Sequence, residues 1–289
     1  MILVTGATGT NGRELLDALR KRGAPDIKVR GLTRDPKKAE SLKKLGVEAA
    51  IGDLAQPASL PAALAGCDRV FILSAVSEQI AEQEAALAQA AKKAGAKQLV
   101  KFSANGADPD SKHTISRLHG QGEKAVQATG LAWTVLRPTF FQQNLLWGAP
   151  SIKKEGVFRN NLGRTKASHI DTRDIAAVAA RVLTDPLEDH AGKVYELRGP
   201  QALSFDEIAA IFTRVLGKPV RYVDLTDEQY EQGMTQAGMP QWLAHAIAEL
   251  AEVARNGTAG QVNDIVGRIG EKKPTTVEQF LVENRAAFV

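Results

Sequence analysis

The chain reads as an α/β protein: a doubly wound parallel sheet followed by a smaller, mostly helical C-terminal lobe. Three observations point there. Through the first half, short apolar runs alternate with amphipathic segments of helix length, the pattern of a parallel sheet covered on both faces by helices. The first run, Met1-Ile-Leu-Val-Thr5, passes directly into Gly6, Gly9 and Gly12 and then into a helical pattern with Leu15, Leu16 and Leu19 on one face. From Gly192 onward the pattern changes to short strands set among longer helices. A strand, a glycine-rich turn and a helix at the head of such an alternation open a Rossmann-type domain.

Taken in order, strands are expected at residues 2–5, 29–33, 48–51, 69–73, 98–102 and 133–137. Helices are expected between them at 12–22, 36–45, 58–64, 79–94 and 116–130. Residues 156–166 read as a hairpin or loop, and Asp171 and Asp174 as capping groups that open a helix over 175–183. The remainder reads as a strand at 194–197, a helix capped by Ser204, a strand at 220–223 and then mostly helix. The expected division is a dinucleotide-binding domain over 1–150, completed by 165–190, and a smaller α/β lobe over 191–289 that covers the substrate end of the cleft.

The glycines are spaced Gly-x-x-Gly-x-x-Gly, where the commoner fingerprint is Gly-x-Gly-x-x-Gly. The physics is shared: a turn without Cβ atoms lets the backbone approach a pyrophosphate, and the N–H groups and dipole of the next helix favour its charge. Gly6, Thr8, Gly9, Thr10, Asn11 and Gly12 are therefore candidate cofactor contacts. About twenty residues on, the second strand ends in Thr33-Arg34-Asp-Pro-Lys37. An arginine there attracts a 2′-phosphate that an acidic residue would repel, so Thr33, Arg34 and Lys37 point to NADP in preference to NAD. Asp35 as a ribose ligand, or a solvated helix start, are the competing readings. Asp53 and Leu54 follow the third strand, where Asp53 would bond an adenine amino group or cap the next helix. Ser74, Ala75 and Val76 follow the fourth strand, and small residues there let a nicotinamide pass.

Composition excludes several classes. The net charge is +4, spread without a Lys/Arg run, so nucleic acid is not an expected partner. No apolar run approaches the roughly 18 residues of a membrane span. Cys67 is the single cysteine, which removes disulfide frameworks and cysteine metal sites. His113, His169, His190 and His245 show no metal-ligand spacing, so no metal is expected. The first strand starts at Ile2, leaving no room for a signal or transit peptide, and a cytoplasmic location is expected.

Several segments together resemble the NmrA-like branch of the atypical short-chain dehydrogenases. They are Val4-Thr-Gly-Ala-Thr-Gly-Thr-Asn-Gly12, Phe102-Ser-Ala-Asn-Gly-Ala-Asp-Pro109, Arg117-Leu-His-Gly-Gln-Gly-Glu-Lys124, Val135-Leu-Arg-Pro-Thr-Phe-Phe-Gln-Gln-Asn144 and Ile170-Asp-Thr-Arg-Asp-Ile175. Gly192-Lys-Val-Tyr-Glu-Leu-Arg-Gly-Pro200 and Ser204-Phe-Asp-Glu-Ile208 extend the likeness over almost the whole chain. The resemblance implies a Rossmann fold, bound NADP(H), and either NADPH-dependent reduction of quinones, azo dyes or triphenylmethane dyes, or a regulatory protein that senses NADP(H).

One departure from the wider superfamily is informative. Carbonyl-reducing members use Tyr-x-x-x-Lys, in which the phenol protonates the developing alkoxide. Here Tyr195, Tyr222 and Tyr230 all lie beyond that region, Ile115 stands at the tyrosine's place and His119 at the lysine's. Simple ketone reduction is therefore not expected, and acceptors that take hydride into a conjugated system are. His119, with an ordinary pKa of about 6.5, is the candidate catalytic donor, against a structural hydrogen bond as the alternative. By the same resemblance Ser103 stands where a serine polarises the substrate, unless it only caps a loop. Pro138, Thr139, Phe140 and Phe141 are expected beside the nicotinamide, and Phe141, Asn144, Trp147 and Trp242 beside the substrate, although aromatics at such spacing also serve as core. The expected function is an NADPH-dependent oxidoreductase passing hydride to a quinone, azo compound or other conjugated electrophile without flavin or metal. The alternative is an NADP(H)-binding redox sensor acting through a protein partner. The expected partners are a small aromatic or conjugated substrate and, in a homodimer, a second copy of the chain.

Overall fold

The computed structural model describes residues 1–22, 27–257 and 259–289. The first half alternates as the pattern requires: β1 (Ile2–Val4), α1 (Thr10–Lys21), β2 (Val29–Thr33), α2 (Pro36–Lys44), β3 (Glu48–Ile51), a 3-10 turn at Pro57–Ser59, α3 (Leu60–Leu64), β4 (Arg69–Ile72), α4 (Ile80–Lys93), β5 (Gln98–Phe102), α5 (Thr114–Gln127) and β6 (Ala132–Pro138). There follow β7 (Phe140–Phe141), a 3-10 segment Gln142–Gly148, α6 (Ala149–Glu155), β8 (Val157–Asn160), β9 (Ala167–Ile170), α7 (Thr172–Val182), α8 (Leu187–His190) and β10 (Lys193–Leu197). The chain closes with β11 (Ala202–Leu203), α9 (Phe205–Leu216), β12 (Arg221–Asp224), α10 (Asp227–Gln236), α11 (Gln241–Asn256), α12 (Ile265–Arg268) and α13 (Val277–Glu283).

Seven of these strands form one parallel sheet in the order β10-β6-β5-β4-β1-β2-β3. The alternation of side chains along β1 divides its core: Ile2 and Val4 pack with α1, α2 and α7, while Leu3 packs on the other face with α3, α4 and α5. Leu3 is fully buried, so its truncation to alanine would cost about 2 to 5 kcal/mol. The direction of winding reverses between β1 and β4, and a crevice opens at the carboxyl ends of those strands. Thr5 pins the two exits together, its hydroxyl accepting the Leu73 N–H at 2.8 Å and donating to the Leu73 carbonyl at 2.9 Å.

Three expectations are corrected. Residues 157–160 do not fold back as a hairpin: they run parallel to β12, more than sixty positions away, forming a two-stranded sheet. The strand assigned to the second lobe, β10, is instead the edge of the main sheet, paired with β6 from Lys193↔Thr134 to Leu197↔Pro138. Asp171 caps α7 by accepting the Arg173 N–H, but Asp174 is fully buried and accepts the Thr275 N–H at 2.8 Å. It thus ties the C-terminal segment to α7 and is no simple cap. The lobe's own core gathers Phe158, Phe205, Phe212, Phe280 and Phe288 around α9.

Candidate active site

The three glycines of the first turn do different work. Gly6 has φ +61, the left-handed region that favours glycine, and a Cβ there would lie 2.8 Å from Leu73. A Cβ at Gly12 would lie 2.2 Å from the Gly6 carbonyl, so Gly12 lets α1 sit against the turn. At Gly9 the nearest atom to an added Cβ is 3.5 Å away, and the residue is exposed. It is the one of the three that would accept a Cβ without a clash. Gly9 is also the N-cap of α1, with no side-chain cap and no acidic residue in the first turn. The first N–H groups of α1, beginning with those of Thr10, Asn11 and Gly12, lack partners within the helix, as the start of any helix does. The Asn11 Oδ1 atom nearby is buried without a partner. An open backbone, an uncapped helix dipole and an orphan polar atom fit a dinucleotide diphosphate.

At the tip of β2, Arg34 is exposed and, among the described residues, its side chain makes no hydrogen bond or ion pair. Thr33 is buried, its Oγ1 accepting the Asp35 N–H at 3.2 Å, and Lys37 is exposed on the first turn of α2. Asp35 caps that helix, accepting the Lys37 N–H at 2.8 Å, which accounts for it without a ribose. Asp53 accepts the Ala55 N–H at 3.0 Å in the turn before α3 and caps neither that helix nor the 3-10 turn before it, which corrects the cap reading; Leu54 beside it is half-buried.

The crevice leads into a cavity of about 280 Å³. Asn11, Ser74, Val76, Ser103, His119, Pro138, Thr139, Phe140, Phe141 and Asn144, all singled out in the sequence, line it. Gly6, Thr8, Gly9, Thr10, Gly12, Thr33, Arg34, Lys37, Asp53, Leu54 and Ala75 are not among the lining residues; the glycine turn carries Asn11 into it. Trp147 and Trp242 do not reach it either, and Trp147 is 58% exposed. Their place is taken by Leu250, Val253 and Ala254 of α11 and by Ala259, which nothing in a linear amphipathic pattern distinguishes from ordinary core positions. Phe141 meets Phe102 edge-on at 6.1 Å, and Phe140 leans on His169 at 5.8 Å, so each ring is both wall and core.

His119 sits on α5 at the cavity wall and is buried. Its Nδ1 lies 3.2 Å from the ammonium of Lys101, which also bonds Glu84 Oε1 at 2.9 Å and the Phe102 carbonyl at 2.7 Å. Burial first, and the Lys101 charge second, hold the His119 pKa well below its ordinary value. The ring is therefore neutral near pH 7, and the ordinary pKa of about 6.5 expected from the sequence is corrected to a lower one. The two glycines that follow it have steric reasons: a Cβ at Gly122 would lie 2.2 Å from the Glu84 carboxylate, and one at Gly120 2.2 Å from the Pro109 nitrogen.

Ser103 donates its hydroxyl proton to Glu123, which is buried and doubly bonded by Arg137 at 2.6 and 2.9 Å. Arg137 reaches Glu196 of β10, which also accepts from Asn105 at 2.6 Å. The Ser103 hydrogen is thus engaged inward, which leaves its oxygen only as an acceptor toward the cavity. Lys101, Glu84 and Glu123 were missed in the sequence; the readable signal was a lysine inside the apolar run Gln98-Leu-Val-Lys-Phe102, which a buried parallel strand tolerates only with a partner.

The NmrA-like family model matches residues 1–281. The chain belongs to the NmrA-like family. It is 43% identical over 288 residues to the NAD(P)H azoreductase of Xenophilus azovorans, covering 100% of this chain and 99% of that protein. Among solved structures it resembles the NADPH-dependent quinone oxidoreductase of Escherichia coli complexed with NADPH, with a TM-score of 0.89 and 31% identity over 99% of this chain and 100% of that one. The Citrobacter triphenylmethane reductase complexed with NADP(H) gives a TM-score of 0.84 at 28% identity, covering 98% and 99% of the two chains. Among the described residues of this NmrA-like chain, no helix is long and apolar enough to cross a membrane.

Proposed function

We propose that this NmrA-like protein is an NADPH-dependent reductase that passes hydride to a quinone, azo compound or other conjugated electrophile without flavin or metal. The observation that carries the reading is the cavity itself. It opens from an uncapped helix start, has aromatic and aliphatic walls, and none of its lining residues is an aspartate, glutamate, lysine or arginine. Such walls suit a flat, uncharged conjugated ring at the reducing end. The azoreductase, quinone oxidoreductase and triphenylmethane reductase relatives support the same chemistry.

When bound, NADPH supplies the hydride. The N–H groups around Gly6, Thr8, Gly9, Thr10, Asn11 and Gly12 hold the diphosphate, and Arg34, with Thr33 and Lys37, receives the 2′-phosphate. Asp53 and Leu54 border the adenine, and Ser74, Ala75 and Val76 with Pro138, Thr139 and Phe140 flank the nicotinamide. Phe141 and Asn144 position the acceptor. His119 presents Nε2–H to the acceptor atom that gains charge, stabilising it without full proton transfer, and Ser103 orients the Glu123–Arg137 pair behind the wall. Because the charge spreads over a conjugated system, holding two flat groups in contact supplies most of the rate. The cytoplasmic location expected from the sequence is part of the same proposal. The homodimer is a separate proposal, checked by light scattering of the purified chain.

The test is NADPH oxidation followed by absorbance against a panel of quinones, azo dyes and enones, with NADH as control. Turnover that prefers NADPH supports the reading. No turnover with any acceptor, alongside tight NADPH binding, would favour the sensor acting through a protein partner.

A further inference from the structure

We propose that Lys101 and Glu84 are a positioning pair for His119, holding its Nδ1 as an acceptor so that the one proton of the neutral ring stays on Nε2, facing the cavity. The inference rests on the reductase reading of that cavity, although its first test does not need turnover.

The count of protons and acceptors carries it. A lysine ammonium has three N–H donors and no acceptor. Three acceptors surround Lys101: Glu84 Oε1 at 2.9 Å, the Phe102 carbonyl at 2.7 Å and His119 Nδ1 at 3.2 Å. With the first two taking one proton each, the third proton points at Nδ1, which must then offer its lone pair. The tautomer follows from this network. Lys101 and Glu84 have no exposed side-chain surface, so water cannot replace either partner. Three elements fix the arrangement: β5 carries Lys101, α4 carries Glu84 and α5 carries His119, with Gly122 leaving the space that the Glu84 carboxylate occupies.

The other groups around the ring do not compete for Nδ1. On its own helix, Glu123 stands one turn on and is held by Ser103 and Arg137. From α11, the residues that line the cavity are the uncharged Leu250, Val253 and Ala254. The functional consequence is a matter of sign. With the proton on Nε2 the ring gives a donor to an acceptor atom that is becoming negative; with the proton on Nδ1 it would present a lone pair to the same atom and repel it. No bond of Lys101 or Glu84 is made or broken in this role.

The first arm of the test is nitrogen NMR of protein labelled with ¹⁵N-histidine, free of cofactor. The expected His119 signals are pyridine-like at Nδ1 and pyrrole-like at Nε2, unchanged from about pH 8 down to about pH 6. A pyrrole-like Nδ1, or an imidazolium at about pH 7, overturns the proposal whatever the enzyme does. The second arm is the paired variant Glu84→Leu with Lys101→Met, which leaves no lone buried charge. Its His119 signals should shift toward a mixture of tautomers. Its kcat on an accepted quinone should fall, though by less than in His119→Ala because part of the rings keep the Nε2 proton, with NADPH affinity unchanged and little further loss in the His119→Ala background. Unchanged tautomer or unchanged kcat in the paired variant also overturns it. If the NMR arm holds and no acceptor is turned over by the wild type, it is the reductase reading that has failed.

Discussion

Substituting Gly12 and Gly9 of the first turn separately should damage different properties, the first mainly stability and the second mainly cofactor binding. In Gly12→Ala, the helix gains up to about 1 kcal/mol from propensity alone. The new Cβ would lie 2.2 Å from the Gly6 carbonyl and 2.7 Å from Ala7 Cα, both backbone atoms that cannot rotate away. Reaching an ordinary separation near 3.5 Å requires the turn to move by about an ångström, and overpacking of that kind costs roughly 1 to 3 kcal/mol or more. The net expectation is destabilisation by up to about 2 kcal/mol, with Tm lower by up to about 8 °C. Gly9→Val is the opposite case. The residue has φ −81 and ψ 174, which a branched side chain accepts, and the nearest atom is 3.5 Å away. The loss of a good N-cap costs only about 0.5 to 1 kcal/mol. Yet the side chain would stand where a diphosphate must approach, and NADPH affinity should fall at least about a hundredfold, or ~2.7 kcal/mol. Urea unfolding and calorimetric titration with NADPH of both variants measure the two quantities separately. Wild-type affinity in Gly9→Val would show that the turn seats no diphosphate, and a Gly12→Ala protein more stable than wild type would refute the packing.

Other outcomes follow from the same geometry. Arg34→Ala should cost NADPH about 1.5 to 3 kcal/mol of binding and leave NADH nearly unaffected, as read from the two dissociation constants; an unchanged preference would remove Arg34 from the 2′-phosphate site. His119→Ala should lower kcat by about tenfold or less, below the ~10² to 10⁴ expected on removing a true general acid, while Phe141→Ala should damage turnover through lost positioning. A thousandfold loss at His119 with NADPH binding intact would make it the proton donor. His169 is buried and its pKa is lowered to about 4, first by desolvation. A neutral histidine in the fold and a protonated one in the unfolded chain mean that stability is complete above about pH 6.5 and declines as pH falls toward 4. Between those limits the wild type should lose roughly 3 kcal/mol more than His169→Gln in urea unfolding, and equal losses would show that the ring is not held neutral.

Some of this protein was written in the order of its residues. The hydrophobic run into Gly6, Gly9 and Gly12, and the alternation that follows, determine a Rossmann-type sheet because strand and helix periods and a turn without Cβ atoms are local properties. The proposed cofactor end is equally local: Thr33, Arg34 and Lys37 stand together at one strand tip because they are neighbours in the chain. The proposed substrate end is not. Leu250 and Val253 replace Trp147 and Trp242 at the cavity because the docking of α11 turns on contacts such as the Thr114 N–H bonded to Glu249, 135 positions apart. The same contact starts α5 two residues earlier than the pattern suggests. Likewise β10 joins the main sheet and β8 finds β12 through backbone hydrogen bonds, which carry no side-chain signature. The protonation of His119 was decided furthest from the sequence. Its position at the wall was legible, but an exposed histidine and a buried one beside Lys101 and Glu84 have the same letter, and only packing of α4, α5 and β5 removes the water that would let it ionise.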